Sequence, residues 1–262
     1  MPQLGLGLGL QRANRALFRG LLDQYGGAAA AYSLRALSSG WLAGDVVEVR
    51  RSSDSTTDTF TASQITNGDL VTFCGVGDGF VSTWYDQSGN ANNATQPTTT
   101  EQPKIVDAGA LVTGGIEFDG VDDGLSITSL LTPSSIFAVG AHGGGAFNRM
   151  LSDSVGTSAI IATSTSYLTR FGNTTGRTMG AVTTSEVIAT AIDNGSSDIC
   201  ALNGAVGSTG DFGSFANEIY TISSTAAAWD GSIREVIIYP TDQTANRAAI
   251  EANINDFYSI YA

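Results

Sequence analysis

The stretch FVSTWYDQSGNANNATQ, residues 80–96, changes character in its middle. Up to Tyr85 it alternates, with Phe80 and Trp84 on one face and Tyr85 on the other, which is the two-residue period of a half-buried β-strand. From Asp86 onward the residues are those of a turn. Asp86, Ser88 and Asn90 bond readily to nearby backbone, and Gly89 supplies a dihedral that other residues resist. The first reading is therefore a sharp corner leaving a buried strand. The second is a glycan site built from Trp84, Tyr85, Asp86, Gln87, Asn90 and Asn92, because aromatic faces stack on sugar rings as well as they pack in cores.

The same punctuation recurs along the chain. Alternating or apolar runs appear at 45–51 (DVVEVRR), 114–120 (GGIEFDG), 135–140 (SIFAVG), 158–165 (SAIIATST), 185–193 (SEVIATAID), 198–204 (DICALNG), 217–223 (NEIYTIS) and 231–239 (GSIREVIIY), nearly all separated by Gly, Asn, Asp or Ser. About a dozen short strands with no alternating helices predict an all-β antiparallel β-sandwich of the jelly-roll kind, not a parallel α/β sheet. The chain closes with PTDQTANRAAIEANINDFYSIYA, where Thr241 or Asp242 is expected to cap a helix with an apolar face of Ile250, Ile254, Phe257, Tyr258 and Tyr261.

Composition excludes several classes. The 262 residues suffice for a full-sized core, and 32 Gly against 5 Pro suit many tight turns. A net charge of −13, with Lys104 the single lysine, argues against a nucleic-acid partner. Cys74 and Cys200 are too few for a disulfide framework or zinc ribbon and are expected to be buried thiols. No apolar run is long enough to span a bilayer, and the opening MPQLGLGLGLQRANRALFRG lacks a basic segment ahead of its apolar run, so no membrane partner and no standard export are expected.

Residues 1–27 read differently from 28–262. LQRANRALFRGLLDQYGG places Leu10, Leu17, Phe18 and Leu21 on one helical face and Arg12, Arg15 and Arg19 opposite, with Gly26 and Gly27 closing the helix. Residues 1–25 hold three Arg and one Asp, +2 in all, so the remainder carries −15. A basic amphipathic arm on an acidic sandwich reads as a docking element through which the domain would attach to a partner, and symmetric homo-oligomers suit such arms.

The chemical repertoire is narrow. The one histidine, His142, lies in the glycine-rich VGAHGGGAF and is read as a loop residue without a role. Asp119, Asp122 and Asp123 meet in FDGVDDG, a tight turn in which Asp side chains bond to backbone amides; calcium is the one metal such a trio would suit, and no other cofactor is expected. Glycoside hydrolysis needs two carboxyl groups flanking the scissile bond, and acidic residues abound.

Two segments together carry a resemblance. AAYSLRALSSGWLAGDVVEVRRSSDSTTDTF (30–60), followed by FVSTWYDQSGNANNATQ, is similar to the N-terminal half of the catalytic sandwich of α-L-arabinofuranosidase B, and to concanavalin A-like lectin/glucanase or laminin-G-like domains of tailed-bacteriophage virion proteins. FDGVDDGL and the closing WDGSIREVIIYPTDQTANRAAIEANINDFYSIY resemble the middle and end of those domains, so the likeness spans residues 30–262 in outline. It implies a Glu nucleophile on a central strand and an acid/base Asp ahead of the last long strand. Here SYLTRFGNTTGR puts Phe171 or a neighbour at the first place, and SSTAAAW puts Ser224 or Thr225 at the second. The resemblance thus implies a non-enzymatic relative: a structural virion protein (capsid decoration, head fibre or tail adhesin) assembled in the host cytoplasm. Its arm would hold other virion proteins and its sandwich would meet host-surface polysaccharide. The alternatives are an arabinofuranosidase-like hydrolase or depolymerase with relocated carboxylates, such as Glu117 with Asp119 or Asp230 with Glu235, and a free lectin.

Overall fold

The computed structural model describes residues 18–153, 158–170, 175–215, 218–223 and 227–262, apart from the side chains of 128–130, 153, 158 and 159. Leu10, Arg12, Arg15 and Leu17 of the arm lie outside the described residues, as do Phe171, Ser224 and Thr225.

In chain order the first nine strands are β1 (Ala30–Ser33), β2 (Asp45–Arg51), β3 (Thr57–Thr61), β4 (Gly79–Trp84), β5 (Ala94–Thr95), β6 (Lys104–Asp107), β7 (Ala110–Leu111), β8 (Ile116–Asp119) and β9 (Leu125–Leu131). The rest are β10 (Ser135–His142), β11 (Phe147–Asp153), β12 (Ser158–Thr163), β13 (Ser166–Thr169), β14 (Arg177–Ala181), β15 (Val187–Ile192), β16 (Asp198–Leu202), β17 (Ala205–Gly210), β18 (Ile219–Ile222) and β19 (Asp230–Tyr239). Four helices accompany them: α1 (Leu21–Gln24), α2 (Ala62–Thr66), α3 (Asp69–Cys74) and α4 (Arg247–Tyr258).

Antiparallel pairing builds two layers. One runs β3-β2-β4-β6-β8-β19-β10-β15-β16-β17. On the edge of β19 away from β10, β8 covers Asp230–Ile233 and β1 covers Glu235–Ile238. The other layer runs β9-β18-β11-β12-β13-β14, and β5 joins the two by pairing with both β4 and β9. Alternation makes the sandwich close: Trp84, Ile136, Ala138 and Val236 of the first layer and Ile160, Ala162, Tyr167 and Met179 of the second share one buried apolar cluster. The outer face of the first layer buries Phe137, Val139, Ile188 and Ile237 in a second cluster under α4 (Ile250, Ile254) and Leu21 of α1. Both faces of β10, β15 and β19 are therefore covered, which is why these strands read as near-continuous apolar runs.

The corner at residues 86–92 ties this frame together. Asp86, 1% exposed, accepts from the backbone N–H groups of Ala31, Ser88 and Asn92 and from the Ser88 hydroxyl at 2.7–3.0 Å. Gln87 donates through Nε2 to Ser33 O and Arg35 O and accepts from Leu37 N. The YSLR and WYDQSGN segments are thus one hydrogen-bonded unit in which the second holds β1 against β19.

Three sequence expectations change here. The N-terminal helix, among the described residues, is only the four residues of α1, because Gly20 enters it in an extended conformation with its N–H bonded to Asp23. Leu21 is fully buried against its own domain, while Phe18 and Arg19 are exposed. The closing helix starts at Arg247, not near Thr241, because Asp242 and Gln243 are spent on turn bonds to Thr244 N and Thr241 Oγ1. Finally, α2 and α3 interrupt the β pattern; Thr61 and Gln64 form a capping box that starts α2.

Candidate functional site: an acidic cleft beside the last strand

The residues proposed for glycan contact are mostly occupied in holding the fold. Trp84 is wholly buried, 5.8 Å from the ring of Tyr32, and Tyr32 donates its hydroxyl to Asn92 O. Asn90 and Asn92 donate through Nδ2 to Ala29 O at 3.1 and 2.8 Å. Tyr85 alone of the six combines partial exposure with a side chain free of hydrogen bonds among the described residues.

The acidic turn has a different setting. Asp119 Oδ1 accepts from the N–H groups of Val121, Asp122 and Asp123, and Asp123 Oδ2 accepts from Asp119 N, so the turn is closed by its own carboxylates. β8 sets Asp119 opposite Asp230 at the start of β19. Beside them opens a cleft of about 660 Å3, lined by Phe80, Gln102, Lys104, Glu117, Asp119, Asp123 and Asp230. Asp230 is tightly seated: a Cβ added at Gly120 would lie 2.8 Å from Asp230 Cβ, and one at Gly143 would lie 2.5 Å from Asp230 Oδ1. Its carboxylate has no hydrogen-bond or ion-pair partner among the described residues. Across the strands, Lys104 lies opposite Glu117 but pairs with Asp107 at 2.8 Å and Asp78 at 3.6 Å.

Electrostatics single out Asp123. Burial, reinforced by the charges of Asp119, Asp122 and Glu117, pushes its carboxyl up to about 7, against the bond from Asp119 N that stabilises the anion. A carboxylic acid held protonated near neutrality beside other carboxylates is the arrangement a proton donor requires. The trio's ligand oxygens lie within 4.8 Å of one another. As a calcium site it fits poorly, since Asp119 Oδ1 and Asp123 Oδ2 already accept backbone N–H groups and leave fewer oxygens than the ~6–8 that calcium takes.

Other titratable residues are committed elsewhere. Glu235 is fully buried and bound by Arg35 through Nε and Nη2 at 2.8 and 2.9 Å, by Ser33 Oγ at 2.8 Å and by Tyr258 Oη at 3.0 Å. Those four bonds commit its carboxylate to the fold, which removes the pairing of Asp230 with Glu235. His142 is not a loop residue: it ends β10, is 2% exposed and packs 5.3 Å from the Trp229 ring. The Asn148 amide donates to Ala228 O, so its Oδ1 faces His142 Nε2 at 2.8 Å and that nitrogen donates. Cys74 and Cys200 are free buried thiols, as expected, pushed by burial to about 11 and about 12. A groove of about 850 Å3 between α2 and α4 is largely apolar, and its Arg35 and Tyr258 are held by Glu235. Among the described residues no helix is long and apolar enough to cross a membrane.

No protein-family model matches this sequence, and no curated protein matches it. Solved structures do resemble its fold. An arabinofuranosidase complexed with arabinofuranosyl-α-1,2-xylobiose superposes with a TM-score of 0.62 at 16% identity. A GH54 α-L-arabinofuranosidase soaked with a cyclic sulfate inhibitor gives 0.61 at 17%, and a glutamate-to-glutamine variant soaked with 4-nitrophenyl α-L-arabinofuranoside gives 0.62 at 17%. Each match covers 87% of this chain and 62% of the other, so the chain spans under two thirds of the proteins it resembles. The chain thus shares the β-sandwich fold of these arabinofuranosidases. This likeness overturns the expectation of a structural virion protein, which neither fold nor comparison supports. The part of the arm that is described turns the same way, with Leu21 buried in its own domain.

Proposed function

We propose that the chain is a carbohydrate-active domain of the glycoside-hydrolase type, and that the acidic cleft is where it handles the glycosidic bond. One observation carries the reading: Asp123 keeps its proton to about pH 7 within a cleft that also presents the unpaired carboxylate of Asp230. Asp123 would protonate the leaving oxygen. Asp230 would supply the second carboxylate, as nucleophile or as base for a water. Asp119 is the weaker partner, since its Oδ1 is already taken up by three amide N–H groups. Phe80, half-buried in the cleft wall with Arg50 4.8 Å above its ring, offers an apolar face for a sugar. The architecture shared with arabinofuranosidases supports a pentofuranoside as the first substrate to try.

The test is a panel of 4-nitrophenyl glycosides that includes α-L-arabinofuranoside. Turnover is expected to fall as pH rises through about 7, where Asp123 loses its proton. Asp123→Asn and Asp230→Asn should each reduce kcat by about 10²-fold or more. Turnover at the native level in either variant, or none with any glycoside, would sink the proposal. A non-hydrolytic glycan-binding domain is the second reading, favoured by the absence of carboxylates at Phe171, Ser224 and Thr225, where the resemblance expects them. Saturable binding of arabinan without turnover would select it.

A further inference from the structure

We infer a second site, an anion-binding clamp formed by Arg149 and Arg170 on the outer face of the second layer. Phe147 and Arg149 alternate onto that face of β11, and Arg170 follows β13 two strands away. Both guanidinium groups converge on one ring: Arg149 Cζ lies 5.6 Å and Arg170 Cζ 5.7 Å from the Phe147 centroid. The ion pairs among the described residues engage Arg35, Arg51, Lys104, Arg234 and Arg247, so Arg149 and Arg170 pair with no carboxylate there, as is also true of Arg19, Arg50 and Arg177. Each also has a buried Nε without a hydrogen-bond partner.

Two cations that share one ring and have no carboxylate are costly, because like charges repel and buried N–H donors want acceptors. What distinguishes this pair from Arg177, whose buried Nε is also without a partner, is that two guanidinium groups share one ring in a chain of net charge −13. Guanidinium groups bind carboxylates and sulfate esters through paired N–H bonds, and Phe147 supplies an apolar face that both contact. The stretch SYLTRFGNTTGR, where the resemblance expects an acidic nucleophile, brings Arg170 here and carries no carboxylate. The ligand is therefore an anionic group, a carboxylate or sulfate ester. That it is borne on a glycan rests on the carbohydrate reading above.

Calorimetric titration of the whole chain at low salt with polygalacturonate oligosaccharides, sulfated galactan oligosaccharides and neutral arabinan tests this. The clamp predicts binding of at least one charged glycan, at least 10-fold tighter than arabinan, with the two charged arms separating carboxylate from sulfate. Arg149→Gln combined with Arg170→Gln should weaken that binding at least 10-fold, whereas Arg149→Lys with Arg170→Lys should retain part of it and Arg51→Gln all of it. Thermal melts confirm that each variant is folded. Equal affinity for arabinan, no binding of either charged glycan, or native affinity in a folded double Gln variant would overturn the clamp. Binding is read without turnover, so an inert enzyme with an intact clamp would fail the hydrolase reading alone.

Discussion

At the scale of single residues, Asp86 and Asp123 show how one side-chain type serves two ends. Asp86 is met by four donors, so both its oxygens are engaged by the fold. Asp86→Ala strands those donors and should destabilise the domain by about 2–4 kcal/mol in urea titrations, with the far-UV spectrum unchanged. Asp123 is the reverse case. Its folded carboxyl sits at about 7 against an ordinary 3.8, so the folded state binds this proton more tightly than the unfolded chain does. Stability is therefore lost as pH rises from about 4 to about 7 and stays lost above. Asp123→Asn should leave the melting temperature unchanged at pH 4 and raise stability at pH 8 by about 1–2 kcal/mol, once screening by water in the cleft is allowed for. The sequence showed the Asp trio and the corner but not this contrast, which arises from what strands far along the chain bring near. His142 was misread for the same reason: the glycines that follow it suggested a loop, while Trp229, 87 residues on, buries it.

Elements were more legible where one face is buried. The alternation in DVVEVRR and the apolar runs SIFAVG and GSIREVIIY gave β2, β10 and β19 nearly to the residue. The helices α2 and α3 were missed because they are a turn or two long, too short for a 3.6-residue period; the Thr61/Gln64 capping box was the available signal. The closing helix α4 is fastened to the sheet by Arg35, which reaches from the loop after β1 to Glu235 on β19 and to Asn253 on α4 at 3.2 Å. This pair is buried, so removing one partner leaves the other uncompensated. Arg35→Ala should cost about 3–5 kcal/mol by denaturant unfolding, whereas Arg35→Met combined with Glu235→Leu should cost much less.

Across the whole molecule, the first described strand pairs with the last, Ala30 opposite Ile238. Closing that ladder spans nearly the entire chain, which predicts slow folding on the millisecond-to-second scale in stopped-flow fluorescence of Trp84 and Trp229. The fold class was legible because strand periodicity and turn chemistry are local. Function was not, because the likeness to virion domains carried shape without chemistry. Two glycines have a consequence of another kind. Gly120 and Gly143 flank Asp230 so closely that a single methyl at position 143 would press on its carboxylate. On the proposed hydrolase reading, Gly143→Ala is thus a ruler more than a deletion: it nudges the proposed second carboxylate by a fraction of an ångström without removing it. Any drop in glycoside turnover would gauge how finely the proposed cleft is aligned.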